Sequence, residues 1–437
     1  MTPGRVFLFL QGPSSPLFAR IADRLDARGA RCLRVNICTG DRVFWRRGGA
    51  HNYRGRFENW SAWLSALMAG QGVTDIVLLG EERPYHAVAR ALAKERGIDV
   101  YVVEMGYLRP DWITLERGGM SSNSHFPNDP EMIRAAAEGL PEPDWERKFA
   151  HGFLAEATYD LAYNLPNVFL PFLHPHYKRH AIDHPLAEYG GWLKRLAGAR
   201  KRGRQAEAQV AGLLADGAPF FLMPLQLQTD YQLRAHSPFA NQEEAIEKVL
   251  QSFAKHAPRD CRLVFKIHPL DNGLIDWAGV VAGEAERAEI RDRTTVIDGG
   301  DLDRLIDGAE GVVTINSTVG LHALRRLKPT TCLGTALFDI DGLCDRRPLD
   351  AFWRDPARPD PELCQAFFRL LAAAIHVRGT FYAKAGIEAA AEAIAGRLYL
   401  RTVNEPGAFV DPPPRKSLER RVPGASLGYG PLNRLCQ

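Results

Sequence analysis

Residues 5–38 read RVFLFLQGPSSPLFARIADRLDARGARCLRVNIC. An unbroken apolar run leads into a turn with Gly12 and Pro13. Apolar side chains then recur three or four residues apart (Leu17, Ile21, Leu25), and a second apolar run follows. Strands covered on both faces give such continuous runs, and a helix with one buried face gives the wider spacing. The stretch is a βαβ unit. TDIVLLG (74–80) and DVYVVEMG (99–106), with YHAVARALAKERGI between them, repeat the pattern. Alternating strands and helices predict a parallel, doubly wound sheet.

A second series starts at APFFLMPLQ (218–226), followed by a helix over EEAIEKVLQSFAKHA. Strands at CRLVFKIHP (261–269), TTVIDGG (294–300), GVVTINS (311–317) and TTCLG (330–334) alternate with helices at DLDRLIDGA and VGLHALRRL. Between the two series, residues 130–205 are helical and loop-rich and close on the basic run KRLAGARKRGR. The expected fold is therefore α/β, with two Rossmann-like domains facing each other, at 1–205 and 206–350. Residues 351–437 add C-terminal helices, over 362–398 and set against the first lobe, and an irregular tail beyond 404, rich in Pro, Gly and Arg. At 437 residues the chain is too long for one ordinary core.

Composition narrows the function. Apolar residues make up 46% and charged residues 24%, as in a soluble globular protein. A net charge of +3 lacks the strongly basic face of a nucleic-acid binder. The seven cysteines form no CxxC pair, so reduced thiols are expected and neither a disulfide framework nor a zinc site. No metal or other cofactor is expected. The opening MTPGRVFLFLQGP is too brief for a signal peptide or a membrane span, which gives a cytoplasmic, soluble or peripheral protein.

Open α/β sheets bind ligands outside the carboxyl ends of their strands. Four such ends carry polar residues. Asn316, Ser317 and Thr318 occupy the turn before a helix, where they suit a phosphate or simply cap the helix. In KIHPLD, Pro269 lacks an N–H and is expected to end the strand with His268 at its tip. Lys266, two residues back, is expected on the same face. His268 is either a packed core histidine or a group that stabilises a departing phosphate, protonated or by hydrogen bonding. Glu104 ends a third strand, ahead of Gly106, Arg109, Asp111 and Glu116. It is a candidate nucleophile or base, or half of a structural pair with Arg109. After the fourth strand come Gln226, Gln228, Asp230, Gln232 and His236, which suit a polyhydroxylated ligand or an ordinary polar loop. Gln11 and Gly12, in QGPSSPLF after the first strand, complete the set. One glycine there falls short of GxGxxG, and no P-loop lysine follows, which excludes a nicotinamide or P-loop site.

FLQGPSSPLFARIADRL, LGEERPYHAVAR, VEMGYLRPDWITLERGG, PLQLQTDYQLRAHSPF, FKIHP and INSTVGLHALRRLKPT occur in this order over residues 6 to about 345. Together they resemble the KpsS-type capsule polysaccharide biosynthesis proteins, a family of bacterial β-Kdo glycosyltransferases. The resemblance implies a GT-B-like arrangement, with the acceptor on the first domain and a CMP-sugar donor on the second. It implies retaining transfer of Kdo from CMP-Kdo to a (lyso)phosphatidylglycerol anchor at the cytoplasmic face of the inner membrane, with capsule synthesis and export proteins as further partners. His268-Pro269 and Ser317-Thr318 match the family's phosphate-binding motifs. Related Kdo transferases carry Glu-Asp-Gly where this chain has Glu104-Met105-Gly106, so Glu104 is the expected nucleophile and Asp230 the second candidate. Alternatives are transfer of another CMP-activated acid such as sialic acid, or a non-catalytic role in capsule export. DRVFWRRGGAHNYRGRF (41–57) sets Arg42, Arg46, Arg47, Arg54 and Arg56 among Trp45 and Tyr53. That mixture suits anionic headgroups, at about 1 kcal/mol per cation, or is an ordinary solvated loop.

Overall fold

The computed structural model of the chain describes residues 4–150, 152–179, 184–228, 233 and 235–415. The first sheet has seven strands in the order β12-β6-β5-β4-β1-β2-β3. These are β1 (Val6–Phe9), β2 (Arg31–Asn36), β3 (Ala50–Asn52), β4 (Asp75–Leu79), β5 (Asp99–Met105), β6 (Trp112–Arg117) and β12 (His376–Arg378). The second sheet has five, in the order β11-β10-β7-β8-β9. They are β7 (Phe220–Pro224), β8 (Arg262–Lys266), β9 (Thr294–Ile297), β10 (Gly311–Thr314) and β11 (Thr330–Cys332), all paired in parallel.

Apolar runs become central strands because both faces are covered. Phe7 and Phe9 pack on one side of the first sheet, and Leu8 and Leu10 on the other. Helix α1 (Leu17–Asp26) buries Leu17, Ile21 and Leu25 against the side that holds Phe7.

The first sheet departs from the all-parallel expectation at one edge. β6 runs antiparallel to β5, with Glu104 opposite Thr114, and β12 runs antiparallel to β6. Residues 106–111 are too few for a helical crossover, so the chain can only turn back on itself. Gly106 closes that hairpin, donating its N–H to the Trp112 carbonyl at 2.9 Å. A Cβ at Gly106 would sit 2.3 Å from the same oxygen. Gly106→Ala is therefore expected to destabilise the chain by about 1–3 kcal/mol, read from the urea midpoint, and an unchanged midpoint would contradict this packing.

In chain order, α2 (Thr39–Val43), α3 (Trp60–Gln71), α4 (Pro84–Arg96) and α5 (Pro130–Ala137) complete the first half of the first lobe. Then come α6 (Phe153–Phe169) and α7 (Pro185–Asp216), and the basic run 194–204 lies within α7. The second lobe carries α8 (Gln242–His256), α9 (Trp277–Arg287), α10 (Leu302–Gly308) and α11 (Val319–Arg325). After α12 (Leu349–Phe352), the chain returns to the first lobe through α13 (Pro361–Ile375), β12 and α14 (Lys384–Leu400). α14 packs on α1, its Ile387, Ala391 and Ile394 joining the cluster around Leu17 and Ile21. A further seam joins the lobes. Leu321, Leu337, Phe338 and Ile340 of the second pack in one cluster with Phe367 and Leu371 of α13.

Candidate active site

The carboxyl ends of β1, β4 and β5 face those of β7, β8 and β10 across a cleft of about 530 Å³. The first lobe contributes Gly12, Glu104 and Arg109 to its walls, and the second contributes Gln226, His236, His268 and the turn Asn316–Thr318. Predicted residues far apart in the chain thus share one space.

His268 stands just past the end of β8. The ladder closes earlier than expected: the strand ends at Lys266, and the Ile267 N–H makes a last bond to the Ile297 carbonyl at 2.9 Å. The His268 carbonyl then accepts the Asp271 N–H at 3.0 Å, which turns the chain. The Leu270 N–H donates to His268 Nδ1 at 3.0 Å. With Nδ1 accepting, the neutral ring carries its proton on Nε2. Among the described residues Nε2 has no hydrogen-bond partner. Burial, reinforced by the nearby Arg109 cation, lowers the His268 pKa to about 4. The ring is therefore neutral near pH 7.

His376 shows what a core histidine looks like here. Its Nδ1 donates to the Leu371 carbonyl at 2.8 Å and its Nε2 accepts the Tyr107 N–H at 2.9 Å, so the chain uses both ring nitrogens.

Neighbours hold the rest of this wall. Gln226 Nε2 donates to Asn316 Oδ1 at 2.9 Å, and the Asn316 N–H returns a bond to Gln226 Oε1 at 3.2 Å. Ser317 Oγ accepts the Val319 N–H at 3.3 Å, so the hydroxyl serves its own turn while still lining the cleft. Thr318 makes no capping bond with its side chain. His236 Nδ1 meets Ser122 Oγ at 2.6 Å, a polar link between the lobes.

Glu104 stands one residue before the end of β5, beside Gly80. There a positive φ of 62° and the missing side chain leave room for the carboxylate, since a Cβ would lie 3.2 Å from Oε2. One carboxylate oxygen accepts the Met105 N–H at 3.0 Å. Tyr382, from the C-terminal segment, feels the Glu104 charge, and burial is the larger reason its pKa is raised.

Other predicted positions fall elsewhere. Lys266 is buried, with Asp298 and Asp301 as its compensating charges, and is not part of the cleft wall. Strand alternation does not carry over to His268, because β8 ends at Lys266. Pro269 is exposed beyond the cleft. Gln228 Oε1 accepts the Gln242 N–H at 3.1 Å and starts α8. Gln11 is buried behind the cleft, donating to Tyr163 at 2.6 Å and accepting from Arg83 at 3.1 Å. Asp111 accepts the Phe149 N–H at 2.8 Å, a structural use. Asp230 and Gln232 lie outside the described residues. In the 41–57 loop, Trp45 and Tyr53 are core residues, and Arg47 pairs with Asp23 and Asp26.

Sequence reasoning missed Arg83, Tyr163, Asn167, Tyr177 and Tyr382, which also line the cleft. Arg83 follows β4, so the strand-end rule could have found it. The others come from α6 and from loops, which that rule does not reach.

Two buried carboxyls lie close by. Glu81 accepts the Met120 N–H at 2.8 Å, and burial raises its pKa to about 7. Glu116 accepts from the Ser124 hydroxyl, and burial raises its pKa to about 8. Each holds a proton that the unfolded chain releases near 4.5. Their stabilising contribution is thus complete below that pH and is lost as pH rises through 7 to 8. Buried His86, lowered to about 3 by burial, acts oppositely and withdraws stability as pH falls below 6.5. The melting temperature is expected to fall between about pH 6.5, above which His86 no longer opposes the carboxyls, and about pH 8, and Glu116→Gln to flatten that fall. An identical slope in the variant would rule out a neutral Glu116. Among the described residues no three histidine, cysteine or acidic side chains are placed to hold a metal ion.

The family described as "Capsule polysaccharide biosynthesis protein" matches residues 74–382. The "Capsule polysaccharide modification protein LipB" of Neisseria meningitidis serogroup B is 31% identical over 86% of this chain and 91% of its own. The "Capsule polysaccharide export protein KpsS" of Escherichia coli is 30% identical over 87% of this chain and 97% of its own. Among solved structures, a β-Kdo 2,7 transferase, KpsC of Thermosulfurimonas dismutans, is 16% identical, with a TM-score of 0.43 over 91% of this chain and 99% of that one.

Proposed function

The chain belongs to the capsule polysaccharide biosynthesis family, and from that premise we propose that it is a retaining glycosyltransferase that moves Kdo from CMP-Kdo to a (lyso)phosphatidylglycerol anchor. One observation carries this reading: the neutral His268, whose Nε2–H has no partner among the described residues, shares a single cleft with the Glu104 carboxylate of the opposite lobe.

The chemistry follows from those two groups. Glu104 attacks the anomeric carbon of Kdo, and the bond from that carbon to the phosphate oxygen breaks. CMP leaves with the electron pair as a stable phosphate, so it needs charge stabilisation and no proton. His268 Nε2–H and the amide of Asn316 supply hydrogen bonds to it, with Ser317 and Thr318 beside them. Arg109, which lines the same cleft, is assigned the sugar carboxylate. The acceptor hydroxyl then displaces Glu104, its proton passing to the departed phosphate. Two inversions give net retention. A second donor, CMP-sialic acid, would use the same phosphate contacts.

The test is release of CMP from each donor by the purified chain, with and without lipid acceptor. CMP-Kdo consumed only when acceptor is present supports the reading, whereas consumption of neither donor refutes it. The same proposal places the chain on the cytoplasmic face of the inner membrane, where such an acceptor is met. No helix of the described residues is long and apolar enough to cross a membrane.

A further inference from the structure

Residues 169–173 read FLPFL, at the end of α6 and in the turn after it. Phe169, Leu170 and Phe172 are 66%, 39% and 64% exposed. Among the described residues no other phenylalanine or tryptophan is exposed to this degree. Water penalises two such exposed side chains three residues apart, so a patch of this kind marks a docking surface.

The patch is braced. Arg54 donates to the Leu173 carbonyl at 2.8 Å and the Phe172 carbonyl at 3.3 Å. Thr39 Oγ1 reaches the Leu170 carbonyl at 3.3 Å, and the Gly40 N–H reaches Asn167 Oδ1 at 2.8 Å. It is also cationic at its rim. Arg42 and Arg54 are exposed and close enough to His174 to add to the lowering of its pKa by burial. Exposed Arg46 follows on the same loop. Among the described residues no carboxylate forms an ion pair with Arg42, Arg46 or Arg54.

We propose that the FLPFL turn inserts into the headgroup layer of an anionic bilayer while Arg42, Arg46 and Arg54 contact lipid phosphates, seating the cleft at the membrane surface. Aromatic side chains prefer the interfacial zone, and cations beside them add attraction to anionic lipid. A second protein chain would fit a bare apolar patch equally well, but the unneutralised arginine rim matches a phosphate surface. The placement also serves the proposed reaction, on which this inference partly rests. Tyr163 and Asn167 of α6 line the cleft, so one helix joins the inserted tip to the site.

The experiment is co-sedimentation of the full chain with vesicles of phosphatidylglycerol and phosphatidylethanolamine, against vesicles of phosphatidylcholine, with no sugar nucleotide present. Failure of the transferase reading therefore leaves this test intact. The parent chain is expected to bind the anionic vesicles and lose them as salt is added. Phe169→Ser combined with Phe172→Ser should weaken that binding at least tenfold while the circular dichroism and melting temperature are kept. Arg42→Gln with Arg46→Gln should weaken it several-fold and reduce its salt dependence. Parent-like binding by the double phenylalanine variant would overturn the proposal. So would unchanged vesicle binding accompanied by a drop in mass by light scattering, which would make the patch a contact between copies.

Discussion

Glu104→Gln is expected to lower transfer from CMP-Kdo by on the order of 10⁴-fold or more, because an amide cannot form the covalent adduct that divides the reaction into two steps. The substitution keeps the shape of the side chain. Its site tolerates that shape, since Gly80 leaves space beside Oε2 and the Met105 N–H can still be accepted by the amide oxygen. CMP binding should be unchanged, as Glu104 belongs to the lobe opposite the proposed phosphate contacts. If the variant keeps parent-like turnover, Glu104 is not the nucleophile, and Asp230→Asn becomes the substitution to assay.

His268→Ala is expected to reduce turnover about a hundredfold, the usual effect of removing one donor aimed at developing negative charge. The histidine differs from His376 in that its second nitrogen has no partner among the described residues, so its loss removes no contact between core groups. Melting temperature should therefore hold. His268→Gln, which restores an N–H near the same place, should recover part of the rate. Because the ring is neutral, the rate should not fall as pH rises through 6.5, where an ordinary histidine gives up its proton. A loss of rate at that point would indicate a protonated catalytic histidine instead.

Much of this architecture was legible because strand ends follow simple rules. The run LVFKIHP marks a buried strand that stops near a proline, and INSTVG marks a strand passing into a helix. Both lie at carboxyl ends, and in a parallel sheet neighbouring carboxyl ends must meet. Glu104 was found by the same rule across the cleft. The antiparallel β6 was hidden because WITLER is short and follows Arg-Pro-Asp, which reads as a turn. Trp45 and Tyr53 were read as surface aromatics because their arginine neighbours dominate the loop, whereas burial of the rings against Phe9 and Trp60 decides their place. The tyrosines and asparagines of α6 carry no local signal of function. Only packing of the insertion against α2 brings Tyr163 and Asn167 to the cleft.

The central claim is that this cleft joins a CMP-activated Kdo to a lipid. Mass spectrometry of lysophosphatidylglycerol after incubation with the chain and CMP-Kdo tests it most directly. The account predicts a new lipid heavier by one Kdo residue, formed by the parent chain and absent with Glu104→Gln. An acceptor of unchanged mass, with CMP-Kdo intact and the lipid nevertheless bound, would contradict it and identify the chain as a lipid-binding partner in export.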